Sequence, residues 1–69
     1  MRSRKWVILI TSKWGNYGYV QSYGGCGRMT LVNHPKNAKW FWTENSASVL
    51  AREMDGCYGN HAEVVEYFG

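Results

Sequence analysis

Long apolar runs are missing from this chain. The longest, Trp6 to Ile10, holds five residues, which is too short for a membrane span or for the core of a signal peptide. Acidic residues are also missing from positions 1 to 43, which carry seven lysines and arginines, whereas positions 44 to 69 hold five acids and one arginine. We therefore expect a cytoplasmic protein without a membrane partner, whose basic part steers an anionic partner.

Cysteine is scarce, and the two cysteines, Cys26 and Cys57, come without an export signal. This favours free thiols in a reducing compartment, and a Cys26–Cys57 disulfide is the alternative for an oxidising one. Together with His34 and His61 the cysteines could supply four zinc ligands, but neither pair has the closely spaced cysteines of strong zinc sites. We expect no metal and no cofactor.

Aromatic residues, in contrast, are abundant, with four Trp, five Tyr and two Phe among 69 residues. A buried ring removes roughly 150–250 Å² from water. The chain therefore has enough apolar surface for one folded domain spanning residues 1–69, and its length leaves no room for a second.

The hydrophobic pattern predicts the order β-β-β-α-β. Residues 5–12 are apolar on both parities, as in a strand that lies at the centre of a sheet. The remaining strands are expected over residues 19–23, 28–33 and 61–68. The fold class is α+β, with a mainly antiparallel sheet of three to four strands and one helix packed on one face.

The helix is predicted over residues 43–56. Thr43 suits the N-cap and Gly56 suits a left-handed C-cap. One apolar stripe follows helical spacing and is expected to face the core: Ala47, Leu50, Ala51 and Met54.

Three consecutive rings, Trp40, Phe41 and Trp42, precede this helix. In an extended segment the two tryptophans share one side and the phenylalanine takes the other. We expect Phe41 to face the core and the tryptophans to face a partner. The reverse arrangement, with both tryptophans in the core, stays open at this point.

A stretch of about residues 38–67 contains the pattern Ala38-Lys39-x-Phe41-x-Thr43-x-x-x-Ala47-x-x-x-Ala51, followed by Gly56 and Ala62-Glu63-Val64-Val65. This pattern resembles the second half of many short proteins encoded by bacteriophages and prophages. In those proteins early strands precede an alanine-lined helix and a closing valine-rich strand. The resemblance implies a host-modulating or accessory protein that binds a host enzyme in the host cytoplasm, and it transfers no catalytic residue.

Basic and aromatic residues interleave through the first 43 positions, with Lys13 and Tyr23 among them. Trp, Tyr and Arg dominate protein interfaces, while rings in a positive field also suit single-stranded nucleic acid. The candidate partner-binding residues are Trp14, Tyr17, Tyr19, Arg28, Lys39, Trp40 and Trp42.

Catalytic groupings are not indicated. The carboxylates form no pair suited to acid and base work, and no cysteine has a histidine and an orienting acid at a spacing that indicates a nucleophile. We expect a non-enzymatic module that docks its basic, aromatic surface onto a host protein. The alternatives are a single-stranded nucleic-acid binder that uses the same surface, and a homo-oligomer whose exposed sheet face is its own partner.

Overall fold

The described part of the chain folds into a four-stranded antiparallel sheet with one helix on one face. The computed structural model describes residues 4–25 and 28–68. In chain order the main elements are β1 (Arg4–Thr11), β2 (Tyr17–Tyr23), β3 (Met29–Val32), α1 (Glu44–Met54) and β4 (His61–Phe68). Short 3-10 turns lie at Pro35–Asn37 and Cys57–Gly59. The predicted α+β class and order of elements are confirmed.

The strands are arranged in the order β3-β2-β1-β4. The predicted central position of the first strand is therefore confirmed, because β1 has a neighbour on each side. β4 has the predicted bounds, whereas β2 starts at Tyr17, two residues before its predicted start at Tyr19.

Capping residues define the ends of α1. Thr43 is the N-cap, and its Oγ1 accepts a hydrogen bond of 3.2 Å from the backbone N–H of Ser46. The helix ends at Met54, and Gly56 follows with φ of +90°, a conformation that glycine adopts without the steric cost of a Cβ.

The core lies between the sheet and α1, which packs on β4 and β1. Six buried side chains form it, and they are Ile8, Ile10, Val20, Ala47, Ala51 and Met54. The predicted helix stripe thus faces the core, with Leu50 half-buried at its margin.

The connection from β1 to β2 is a tight turn organised by Ser12. Its Oγ accepts hydrogen bonds from the backbone N–H groups of Trp14 (3.3 Å) and Asn16 (3.1 Å). Gly15 has φ of +90°, as a turn of this sharpness requires. The turn leaves the Trp14 side chain 77% exposed at the end of the hairpin.

A bulge in β2 reverses the side on which its last residues lie. The pairing of β2 with β3 shifts between Val20 and Ser22, and one extra residue moves every later side chain to the opposite face. Tyr23 consequently packs against the core, and its hydroxyl lies 3.5 Å from the carbonyl oxygen of Glu53. Its grouping with the surface aromatics was wrong.

The segment that precedes α1 inserts between β1 and β2. The β1–β2 pairing stops at Leu9 and Tyr19. Beyond it, Trp6 exchanges two backbone hydrogen bonds with Phe41, of 3.0 and 2.8 Å, and the N–H of Lys39 donates to the carbonyl of Val20 at 2.9 Å. The segment is thereby held in an extended form at the end of the sheet.

Candidate functional site: an aromatic and basic sheet face

The face of the sheet opposite α1, here called the open face, is where the exposed rings collect. Cross-strand partners share a face of a sheet, so the register of β1 with its neighbours defines this one. It consists of Lys5, Val7, Leu9 and Thr11 of β1 with their partners Tyr17, Tyr19, His61, Glu63, Val65 and Tyr67.

Lys5, Trp40 and Trp42 form a tryptophan cluster at one end of the open face. The two indole rings meet edge to face with centroids 4.7 Å apart. Lys5 Nζ lies 4.7 Å from the centroid of the Trp40 ring, within the range of a cation–π contact. Trp40 is 40% exposed and Trp42 is 70% exposed.

Phe41 takes the opposite side from the two tryptophans. Its half-buried ring packs against the core cluster. The prediction that Phe41 faces inward is confirmed, and the reverse arrangement is excluded. Trp40 is more covered than the prediction implied, because three fifths of its surface is shielded from solvent.

A second pair of rings lies towards the other end of the open face. Tyr17 and Tyr19 are two residues apart on β2 and meet edge to face at 6.5 Å. Tyr17 is 66% exposed, whereas Tyr19 is half-buried. In the neighbouring turn, Lys13 Nζ lies 4.7 Å from the centroid of the Trp14 ring.

The two remaining candidate residues do not join the tryptophan cluster. Lys39 Nζ lies 5.9 Å from the centroid of the Phe41 ring, so Lys39 is on the side of α1. Arg28 is exposed in the turn before β3, two strands from β1, and its backbone N–H donates to the carbonyl of Gly25 at 3.0 Å.

Among the lysine and tyrosine residues of the open face, sequence reasoning missed Lys5 and Tyr67. They are direct partners in the β1–β4 ladder. The alternation within β1 was a usable signal for Lys5, since Lys5 shares the parity of Val7 and Leu9. Tyr67 depends on the pairing register, which the sequence does not specify locally.

The cysteine and histidine residues do not form a metal site within residues 4–25 and 28–68, where no three His, Cys, Asp or Glu side chains come together. Cys57 is disulfide-bonded, so the expectation of a free thiol is wrong for this residue. The chain has one other cysteine, Cys26, which lies outside the described residues. His34 is exposed, and His61 Nδ1 lies 3.2 Å from Asp55 Oδ1.

Among the described residues, no helix combines the length and the apolar character needed to cross a lipid bilayer. Comparisons with protein-family models, with curated proteins and with solved structures gave no match to this chain.

Proposed function

We propose that this chain is a non-enzymatic binding module that docks its tryptophan cluster onto another protein. The observation that carries the proposal is the 70% exposure of Trp42 on a segment whose other ring, Phe41, packs against the core. Exposed tryptophans cost solubility, and in protein interfaces Trp is among the residues that contribute most of the binding energy.

The backbone of the segment supports this proposal. The bonds between Trp6 and Phe41 and from Lys39 to Val20 hold the backbone on either side of Trp40 before any partner binds, and the Trp40 and Trp42 rings contact each other. A ring held in advance loses less conformational entropy on binding than one on a mobile loop. Lys5 adds a positive charge beside the rings, which favours an acidic or hydrogen-bond-accepting patch on the partner.

Single-stranded nucleic acid is the second candidate, and the observation that favours it is the pairing of lysine ammonium groups with Trp40 and Trp14. Stacking of a base requires an unobstructed ring face. Lys5 lies over the Trp40 ring, and Trp42 meets Trp40 edge to face. These contacts reduce the ring surface left for bases, and we therefore place protein binding first.

The proposal extends to the biological setting. We propose that the partner is a host protein and that the module is a phage-type accessory protein of the host cytoplasm, as the resemblance of residues 38–67 implies. The disulfide at Cys57 argues for an oxidising compartment instead, since structural disulfides are rare in the cytoplasm. Alkylation of thiols in freshly lysed cells separates the two locations, because a cytoplasmic protein would carry alkylated Cys57.

The experiment that tests the proposal is affinity capture by the wild-type chain and by Trp42→Ser, with and without nuclease. A residue at the centre of an interface contributes about 2 kcal/mol or more, so Trp42→Ser should retain less than about a tenth of the captured partner. Val49→Ser is the matched control, because Val49 is 54% exposed on α1 and outside the cluster.

Two results would contradict protein binding through the cluster. Loss of capture after nuclease, with an affinity that falls steeply with salt, would identify nucleic acid as the partner. Full capture by Trp42→Ser together with loss of capture by Trp14→Ser would show that the interface lies at the β1–β2 turn.

Self-association is tested separately by sedimentation, in which a homo-oligomer would show a mass that increases with protein concentration.

A further inference from the structure

The outer edge of β4 is a second surface suited to binding. The order of strands places β4 at one side of the sheet, and no strand within residues 4–25 and 28–68 pairs with its outer edge. An eight-residue strand of this kind presents backbone donors and acceptors that can pair with another chain.

The direction of these groups follows from the β1 ladder. Trp6 exchanges both of its backbone hydrogen bonds with Phe41, on the side away from β4. Because successive residues of a strand point their N–H and C=O groups to opposite sides, the odd-numbered residues of β1 bond to β4. Their partners in β4 are also odd-numbered, so the N–H and C=O of Val64 point away from the sheet.

Asp55 provides an independent check on this direction. Its Oδ1 accepts a hydrogen bond of 3.0 Å from the N–H of Ala62. Asp55 follows α1 and lies beside the outer edge, so the N–H of Ala62 also points outward. The N–H of Ala62 is therefore already hydrogen-bonded at the start of the outer edge. Val64 is the next residue whose N–H and C=O can pair with a partner strand.

A groove of about 390 Å³ runs along this edge, between β4 and α1. Small side chains from both elements, those of Ser48, Ala51 and Ala62, leave space for a side chain of a bound strand. A strand that pairs with β4 would point alternate side chains into the groove. The remaining lining residues are Arg52, Asp55, Glu63 and Val64.

The charges of the groove and of β4 indicate which kind of segment would bind there. Of the charged residues that line the groove, Asp55 and Glu63 are acidic and Arg52 is basic, and β4 itself contains no lysine or arginine. We propose that the β4 edge and its groove bind an extended, basic segment of a partner protein, which adds to the sheet as a fifth strand. Opposite charge on the two strands stabilises such pairing, and like charge opposes it.

A second copy of β4 is a poorer occupant for the same reason. Antiparallel pairing of two β4 strands about Val64 would set Glu63 diagonally across from its own copy, with no basic side chain on either strand to offset the repulsion. A basic strand meets the same carboxylates with opposite charge. This surface shares Glu63 with the open face but includes no residue of the tryptophan cluster, so its failure would leave the tryptophan cluster proposal intact.

The test titrates the ¹⁵N-labelled protein with two capped octapeptides, one alternating Lys with Val and one alternating Glu with Val. The basic peptide should shift the amide resonances of Ala62, Val64 and Ser48 and bind at least tenfold more tightly than the acidic one. In a bound peptide strand, alternate N–H groups face β4. Methylation of the nitrogens that face β4 should abolish binding, while methylation of the nitrogens that face away should not.

Two variants locate the binding. Val64→Pro should weaken the basic peptide at least tenfold while the strand persists, because the lost N–H points away from β1. Glu63→Lys, at an exposed position, should weaken it at least threefold. Glu53→Lys makes the same change in net charge outside the groove lining and should have less effect.

Several outcomes would overturn the inference. The first is equal affinity of the two peptides, and the second is no binding of the basic peptide at millimolar concentration. The third is a set of amide shifts confined to Lys5 and Trp42. A dimer that Val64→Pro dissolves would instead identify a second copy as the occupant.

Discussion

Phe41→Ala tests the assignment of the two sides of the Trp-Phe-Trp segment. The ring packs against the core cluster but is only half-buried. Truncating a fully buried phenylalanine costs about 3–5 kcal/mol, and the half-buried position lowers our expectation to about 2–3 kcal/mol. A domain of this length has a total unfolding free energy of about 3–10 kcal/mol, so the variant should be close to unfolding.

Urea denaturation followed by far-ultraviolet circular dichroism measures this loss without relying on tryptophan fluorescence. With a slope of about 1 kcal/mol per molar urea for a small domain, the midpoint should fall by about 2–3 M. Phe41→Leu is the matched control and should cost less than about 1.5 kcal/mol, because it preserves apolar volume.

Trp42→Ser completes the comparison. Trp42 is 70% exposed, and its removal ends one edge-to-face contact with Trp40. The expected loss is about 0.5–1 kcal/mol. If Trp42→Ser lowers the midpoint more than Phe41→Ala does, the assignment of the two sides is refuted.

Two further perturbations test the cap of α1 and the disulfide. Thr43→Ala removes the oxygen that accepts from Ser46 N–H and should lower the unfolding free energy by about 1 kcal/mol. Thr43→Ser keeps a hydroxyl and should retain most of the wild-type stability. Equal denaturation midpoints for the two variants would show that the Thr43 side chain does not stabilise the helix as a cap. Cys57→Ser, or reductant added to the wild type, should lower the unfolding free energy by about 2–4 kcal/mol in thermal melts. A melting temperature insensitive to reductant would contradict a stabilising role for that disulfide.

Local patterns predicted much of this fold. The helix is defined by interactions within a few residues of one another. In the structure Thr43 caps its N-terminus, the apolar stripe faces the core and Gly56 follows its C-terminus in the left-handed conformation. The central place of β1 was also predictable, because its side chains are apolar on both parities and a buried strand has two faces to cover.

Features that depend on contacts between distant segments were not predictable. The bulge that turns Tyr23 into the core follows from the pairing of β2 with β3, and no residue near it signals the shift. The insertion of Phe41 beside Trp6 joins segments 35 positions apart in the sequence. The contact of Lys5 with Trp40 depends on this insertion, which brings the Trp40 ring under the Lys5 ammonium group.

The order Trp-Phe-Trp has a physical reason that combines these observations. Backbone bonds to Val20 and Trp6 fix the segment from Lys39 to Phe41 in an extended form, so neighbouring side chains must point to opposite sides. One ring then contributes to the core while the rings on either side of it remain available to a partner. Since the period of an extended chain is two residues, inserting one residue after Lys39 would direct a tryptophan to the core and Phe41 to solvent. Under the proposed function, folding constrains Phe41 on one side of the segment, and partner binding constrains Trp40 and Trp42 on the other side.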